Sequence, residues 1–170
     1  MWKLTILDIV EVRNRLFVYY KMYQWKAMKK ILMKRRMNMA KKNGAQSVEV
    51  IPGRKIVLSA GVGKTNVDEL KWLTDTVLAS ARMWKSTGWA YIADCSKMEP
   101  VSPAEGGELV TMTKKFVEAG CKAFAFAEGK SVLLKVQAQK NTQRSQTGVV
   151  EGHFETVQQA LDWLKSEMKI

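Results

Sequence analysis

From Ser47 onward, short β-rich runs alternate with helical segments, and this alternation restricts the fold more than any other feature of the chain. Ser47 to Ile51 (SVEVI) and Lys55 to Ala60 (KIVLSA) read as strands, and the turn dipeptide Pro52-Gly53 between them predicts an antiparallel hairpin. Asn66 begins a helix with Glu69 as its capping-box partner, and Leu70, Leu73, Val77, Leu78 and Ala81 recur at helical spacing. Trp89 to Ala93 (WAYIA) is a continuous apolar run suited to a central buried strand. Ser102-Pro103-Ala104-Glu105 is a strong helix start: Ser caps, Pro takes the first helical position and Glu closes the box. That helix runs through Leu109, Val110, Met112, Phe116 and Val117 to a stop at Gly120. Cys121 to Ala127 reads as a strand, Val132 to about Gln143 as a helix with Val132, Leu133, Val136 and Ala138 apolar, and Gly148 to Phe154 as a last strand. A further capping box, Thr156 with Gln159, opens the final helix.

The expected order is therefore β-β-α-β-α-β-α-β-α, an α/β domain with a mixed, mainly parallel sheet. Single-helix crossovers make the later strands parallel, and the hairpin adds the antiparallel one.

Charge divides the chain differently. Residues 1–46 carry 12 Lys and Arg against Asp8 and Glu11, whereas residues 47–170 are close to balance. The basic pI thus describes an N-terminal extension, 1–46, and the near-neutral domain, 47–170, is not expected to bind nucleic acid. Phe17 to Met33 reads as a basic helix with a broad apolar side, which suits a partner or, for residues 1–38, an anionic membrane surface; its interleaved Lys and aromatic residues suit nucleic acid less well, because no compact recognition motif accompanies them. The competing expectation is that residues 1–38 are upstream sequence read in frame and that the natural start is Met39 or Met37, because Arg35-Arg36 can be encoded as a ribosome-binding sequence and composition shifts at Met39-Ala-Lys-Lys-Asn-Gly. Leu4 to Tyr20 is too interrupted by charge to cross a membrane or to serve as a signal peptide. Cys95 and Cys121 lack metal-ligand spacing, so buried free thiols and a cytoplasmic setting are expected.

The element order, with Trp89-Ala-Tyr-Ile-Ala-Asp94, Cys95-Ser96-Lys97-Met98, Glu118-Ala-Gly-Cys-Lys-Ala123 and the closing Thr156 to Leu164 helix, resembles the STAS domain of anti-sigma-factor antagonists, in particular the stand-alone bacterial STAS-like proteins. The resemblance covers roughly residues 47–168. It implies a non-enzymatic regulatory module that binds a protein partner, often switched by phosphorylation at the start of the helix after the central strand. Ser102 is the residue that matches this acceptor position, although the acidic residue and the Gly that usually accompany it are missing from Val101-Ser102-Pro103-Ala104. Ser102 as a helix cap alone is the simpler reading. The expected partner surface comprises Ser96, Ser102, Glu105 and Gly106, on an exposed loop from Cys95 to Ser102 at the end of a central parallel strand.

Other chemistry is weighed against this. Gly61-Val62-Gly63-Lys64-Thr65 resembles the end of a phosphate-binding loop, but the first Gly of such a loop would fall at Leu58, inside a strand, so a nucleotide-dependent enzyme is the least favoured reading. His153 is the only histidine, so a metal site or a catalytic base there would need carboxylates or Cys from elsewhere in the sequence. Lys135, Lys140 and Arg144 with Gln137, Gln139 and Gln143 form a solvated face or an anion-binding one. No cofactor and no metal are expected. The alternative to protein binding is a small-ligand or lipid-binding domain using an apolar groove between helices and sheet.

Overall fold

The computed structural model describes residues 41–170. The readings of the basic helix and the start at Met39 lie outside the described residues. Among the described residues, six strands and four α-helices follow one another: β1 Lys41–Asn43, β2 Gln46–Val50, β3 Ile56–Gly63, α1 Val67–Ala81, β4 Trp89–Met98, α2 Pro103–Glu118, β5 Cys121–Ala127, α3 Val132–Ser145, β6 Val150–Phe154 and α4 Val157–Ser166. The strands lie in the sheet in sequence order. β1–β2 and β2–β3 are antiparallel, and β3 through β6 are parallel. The α/β class and the mixed, mainly parallel sheet are as expected from the alternation.

One element was not foreseen. β1 lies within the stretch that charge assigns to the extension, yet Lys41, Lys42 and Asn43 pair with Val48, Ser47 and Gln46. All three are exposed on the sheet edge. Lysines there deter pairing with another chain, so part of the N-terminal charge belongs to the sheet itself.

Strand alternation divides the core into two layers. Val48, Val57, Trp89, Tyr91 and Phe124 face α1 and α2, where Leu70, Leu73, Val77, Met112 and Phe116 meet them. Ile56, Ala90, Ile92, Ala123 and Ala125 face the other way, against Ala160 and Leu164 of α4. The α4 face of β4 and β5 supplies mostly alanines, which let one helix approach closely, while the opposite face supplies aromatics that fill the space beneath α1 and α2. Trp89 also donates from its indole nitrogen to Ala119 O at 2.9 Å, which ties the start of β4 to the end of α2.

The helix starts follow the sequence. Asn66 accepts from Glu69 N at 2.9 Å. The Glu69 side chain does not return the bond to its own cap; its carboxylate accepts instead from Ala45 N and Thr65 Oγ1, tying α1 to the first hairpin. The Thr156–Gln159 box is complete. In α3, Val132 and Leu133 point to solvent and Leu134 is buried. Its inward row is Leu134, Ala138, Thr142 and Ser145, a stripe too small and polar to stand out as an apolar periodicity.

Candidate functional site

β4 lies inside the parallel strands, between β3 and β5, and runs past the end of β5. Cys95 to Met98 belong to the strand rather than to an exposed loop, because Val62 and Gly63 of β3 pair with Lys97 and Met98. The register shifts between Ala60↔Asp94 and Val62↔Lys97, so β4 carries one extra residue there. Such a bulge turns the strand and re-aims its side chains. Ser96 is exposed, and its hydroxyl donates to Asp94 Oδ1 at 2.6 Å.

After β4 the chain reaches α2. Ser102 and Glu105 form the expected capping box with Pro103 at the first helical position, and Glu105 Oε2 accepts from Ser102 N at 2.6 Å. Hydrogen bonds from Ser102 hold the Glu105 carboxyl below its ordinary value. Val101, just before the cap, is gripped by one amide side chain: it donates to Gln137 Oε1 at 3.2 Å and accepts from Gln137 Nε2 at 3.1 Å. Ser102 is exposed and Glu105 half-buried. Gly106 is a correction: it is buried, with Asn141 and Arg144 of α3 beside its Cα, so it belongs to the α2–α3 contact and offers nothing to a partner. Gln137 likewise leaves the solvated face on which the sequence placed it.

Gly61 to Gly63 complete β3 and do not form a loop. Val62 N donates to Ala45 O and Gly63 O accepts from Glu99 N, so these groups serve the sheet. A side chain at Gly61 would collide with Met98. Thr65 accepts from Gln46 Nε2 at 3.0 Å and donates to Glu69 Oε2 at 3.1 Å. Each conspicuous residue of this motif except Lys64 therefore has a packing or hydrogen-bonding reason of its own.

His153 has partners that its isolation in the sequence concealed. Its Nδ1 meets Glu128 Oε1 at 2.5 Å, and its Nε2 lies 3.8 Å from Glu151 Oε1. The ring stacks on Phe126 with centroids 5.4 Å apart. Parallel pairing explains the convergence: Phe126 is the register partner of His153, and Glu128 and Glu151 lie two residues from that pair along their own segments. Nε2 and Glu151 Oε2 are both buried without a hydrogen-bond partner. Among the described residues no three metal-ligating side chains are grouped to hold an ion.

Both thiols are free, Cys121 buried and Cys95 partly so. Burial, then the charges of Glu128 and Asp94, push the Cys95 thiol up to about 12. Burial also raises Cys121 to about 12. Neither is a nucleophile near neutrality. An acid whose folded value exceeds its unfolded one holds its proton longer in the folded chain. The stability this gives is full below the ordinary thiol value of 9.0 and is lost as pH rises toward about 12. Urea unfolding at about pH 8 and about pH 10.5 should show a falling midpoint, and a Cys95→Ala, Cys121→Ala variant should show a smaller fall. An equal fall in both proteins would mean that the thiols do not contribute.

A cavity of about 90 Å³ lies between β3–β5 and helices α1, α2 and α3. Leu70, Tyr91, Met98, Met112, Phe124 and Leu134 are among its walls.

No family model and no curated protein matches the chain. The fold is similar to the NMR structure of the protein TM1081, with a TM-score of 0.50 and 14% identity over 71% of this chain and 88% of that one. At that identity the likeness is one of fold alone. Among the described residues no helix is long and apolar enough to cross a membrane.

Proposed function

We propose that residues 41–170 are a STAS-like, non-enzymatic regulatory module that binds a protein partner at the exposed start of α2. The observation that carries this reading is the geometry at Ser102. An exposed cap stands where the central strand hands over to a helix, and it is fixed on both sides, by Gln137 on Val101 and by Glu105 on the Ser102 amide. A surface already ordered before binding loses little entropy when it docks. Strand order supports the STAS-like part: a leading hairpin, then parallel strands in sequence order with one helix between neighbours. Ser96, Ser102 and Glu105 form the partner surface, and Gly106 supports it from beneath.

Ser102 is also the residue whose modification would be felt most. A phosphate at the N-terminus of α2 gains from the helix dipole. It would also meet the Glu105 carboxylate, which already holds the cap amide, so modification would displace Glu105 and change the charge of the surface together.

The test uses the full chain as bait in a native lysate, with bound proteins identified by mass spectrometry. Wild type should retain one specific protein. Ser102→Asp, which still caps the helix, should reduce that capture severalfold with little change in melting temperature. Ser102→Ala should cost about 1 kcal/mol of stability and leave capture intact. Capture indifferent to Ser102→Asp would remove the start of α2 from the partner surface.

A further inference from the structure

We propose that the cavity beneath α3 is a binding site for a small neutral molecule that carries an apolar body and one hydrogen-bond acceptor, the acceptor directed at Ser59 and Tyr91. This goes beyond the protein-binding surface and does not depend on it.

Position gives the first argument. The cavity lies toward the C-terminal ends of parallel strands, with Ala93, Asp94 and Cys95 in its wall, and open α/β sheets bind ligands at such ends. The bulge in β4 and the absence of a side chain at Gly61 open this space, since Met98 lies across Gly61 and forms part of the wall.

Hydroxyl accounting gives the second. Ser59 and Tyr91 are 4% and 1% exposed, and their hydroxyls share a single hydrogen bond of 2.5 Å. Two hydroxyls carry two protons, and one shared bond uses one of them. The other proton has no protein acceptor among the described residues, and both side chains line the cavity. A buried donor without an acceptor is costly, so the pair is poised to give its second proton to a carbonyl, ether or hydroxyl oxygen.

Charge and size define the ligand further. The ionisable wall residues are Asp94, Glu99, Cys95 and Tyr91, and no Lys, Arg or His accompanies them. The carboxylates repel an anion, and burial holds the Cys95 thiol and the Tyr91 hydroxyl in their neutral forms. Phosphates and fatty acids are therefore poor occupants. An apolar cavity of about 150 Å³ holds one benzene, so a cavity of about 90 Å³ fits roughly four non-hydrogen atoms. A lipid tail is too large.

The site meets solvent at Glu99, which is exposed, and α3 borders it. Leu134 is that helix's one buried apolar side chain, and the Gln137–Val101 pair joins the helix to the rim of the cavity. A helix held by so little apolar burial opens at low cost.

The test is NMR of the isotopically labelled full chain titrated with 2-butanone, with isobutyrate as the anionic control. 2-Butanone at tens of millimolar should give saturable amide shifts at Ala93, Met112 and Ala138, and nuclear Overhauser contacts from its methyl groups to Tyr91 and Met112. Isobutyrate should give neither. The double variant Ser59→Ala, Tyr91→Phe, which removes both donors, should weaken 2-butanone roughly fivefold through loss of one hydrogen bond. Ala138→Leu should abolish its shifts by filling the space. The Overhauser contacts are read on the wild-type protein, so the proposal stands or falls even where a variant does not fold. Absence of contacts to cavity side chains at saturating probe, equal binding of isobutyrate, or unchanged affinity in a folded Ser59→Ala, Tyr91→Phe variant would each overturn it.

Discussion

Phe116→Ala should lower the unfolding free energy by about 3–5 kcal/mol. Phe116 is 0% exposed at the middle of an aromatic cluster. Its ring centroid lies 5.6 Å from that of Trp89, 5.0 Å from Tyr91 and 6.0 Å from Phe124. Truncation removes the transfer energy of the ring and leaves a cavity that three rigid aromatics on two strands cannot fill, because strand pairing fixes where they stand. Domains of this size are commonly stable by about 5–15 kcal/mol, so the variant should be marginal at room temperature. Its melting point should fall by many degrees, at roughly 3–6 °C for each kcal/mol. Val62, 61% exposed, supplies the control: Val62→Ala should change stability by less than about 0.5 kcal/mol. Urea unfolding of both variants beside wild type measures the difference. A loss below about 1 kcal/mol for Phe116→Ala would mean that the cluster does not pack in this way.

Phe116 was legible in the sequence because it sits on a helix with a clear period and a clear start. The same holds for most of the fold. Ser102-Pro103-Ala104-Glu105 and Thr156 with Gln159 each mark a helix start by local chemistry, and the hairpin around Pro52-Gly53 is equally local. What escaped was set by partners distant in sequence. β1 is a strand only because Val48 and Ser47 lie beside it, since Lys41-Lys42-Asn43 has no β propensity of its own. The extension of β4 to Met98 depends on β3 reaching Gly63 alongside it. Gly106 looks like an exposed residue in the first turn of a helix until α3 is laid over it. Glu69 matches a capping-box spacing but is drawn away by Ala45 and Thr65. For the cavity, Ser59 and Tyr91 read as ordinary strand residues, and only the register of β3 on β4 reveals that their hydroxyls meet.

The Glu128–His153 pair is the strongest case of function-like chemistry assembled by register, and it yields the second large effect. Glu128 is a buried polar residue, 3% exposed, on the segment that follows β5. Its carboxylate faces His153 Nδ1, and the imidazole is held on its face by Phe126. Removing one partner leaves the other without its hydrogen bond in a site that water scarcely reaches. Glu128→Ala should therefore cost about 3 kcal/mol. Glu128→Gln keeps an oxygen that can accept from Nδ1–H and should recover much of that loss. His153→Ala alone should also be costly, because it leaves Glu128 and Glu151 close together without the ring between them. The two losses should not add. With both side chains removed, the only buried polar atom of this group left without a partner is Glu151 Oε2, which already lacks one in the wild type, so the double variant should lose less than the sum of the single losses by at least about 1 kcal/mol. Urea unfolding of wild type, both single variants and the double variant closes the cycle. Strict additivity would mean that the two side chains do not interact in the folded protein. A coupling confined to stability, with 2-butanone and partner binding unchanged, is the expected outcome, because neither side chain lines the cavity or belongs to the surface at Ser102. The pair then joins the ends of β5 and β6, and the imidazole is a structural bridge rather than a reacting group.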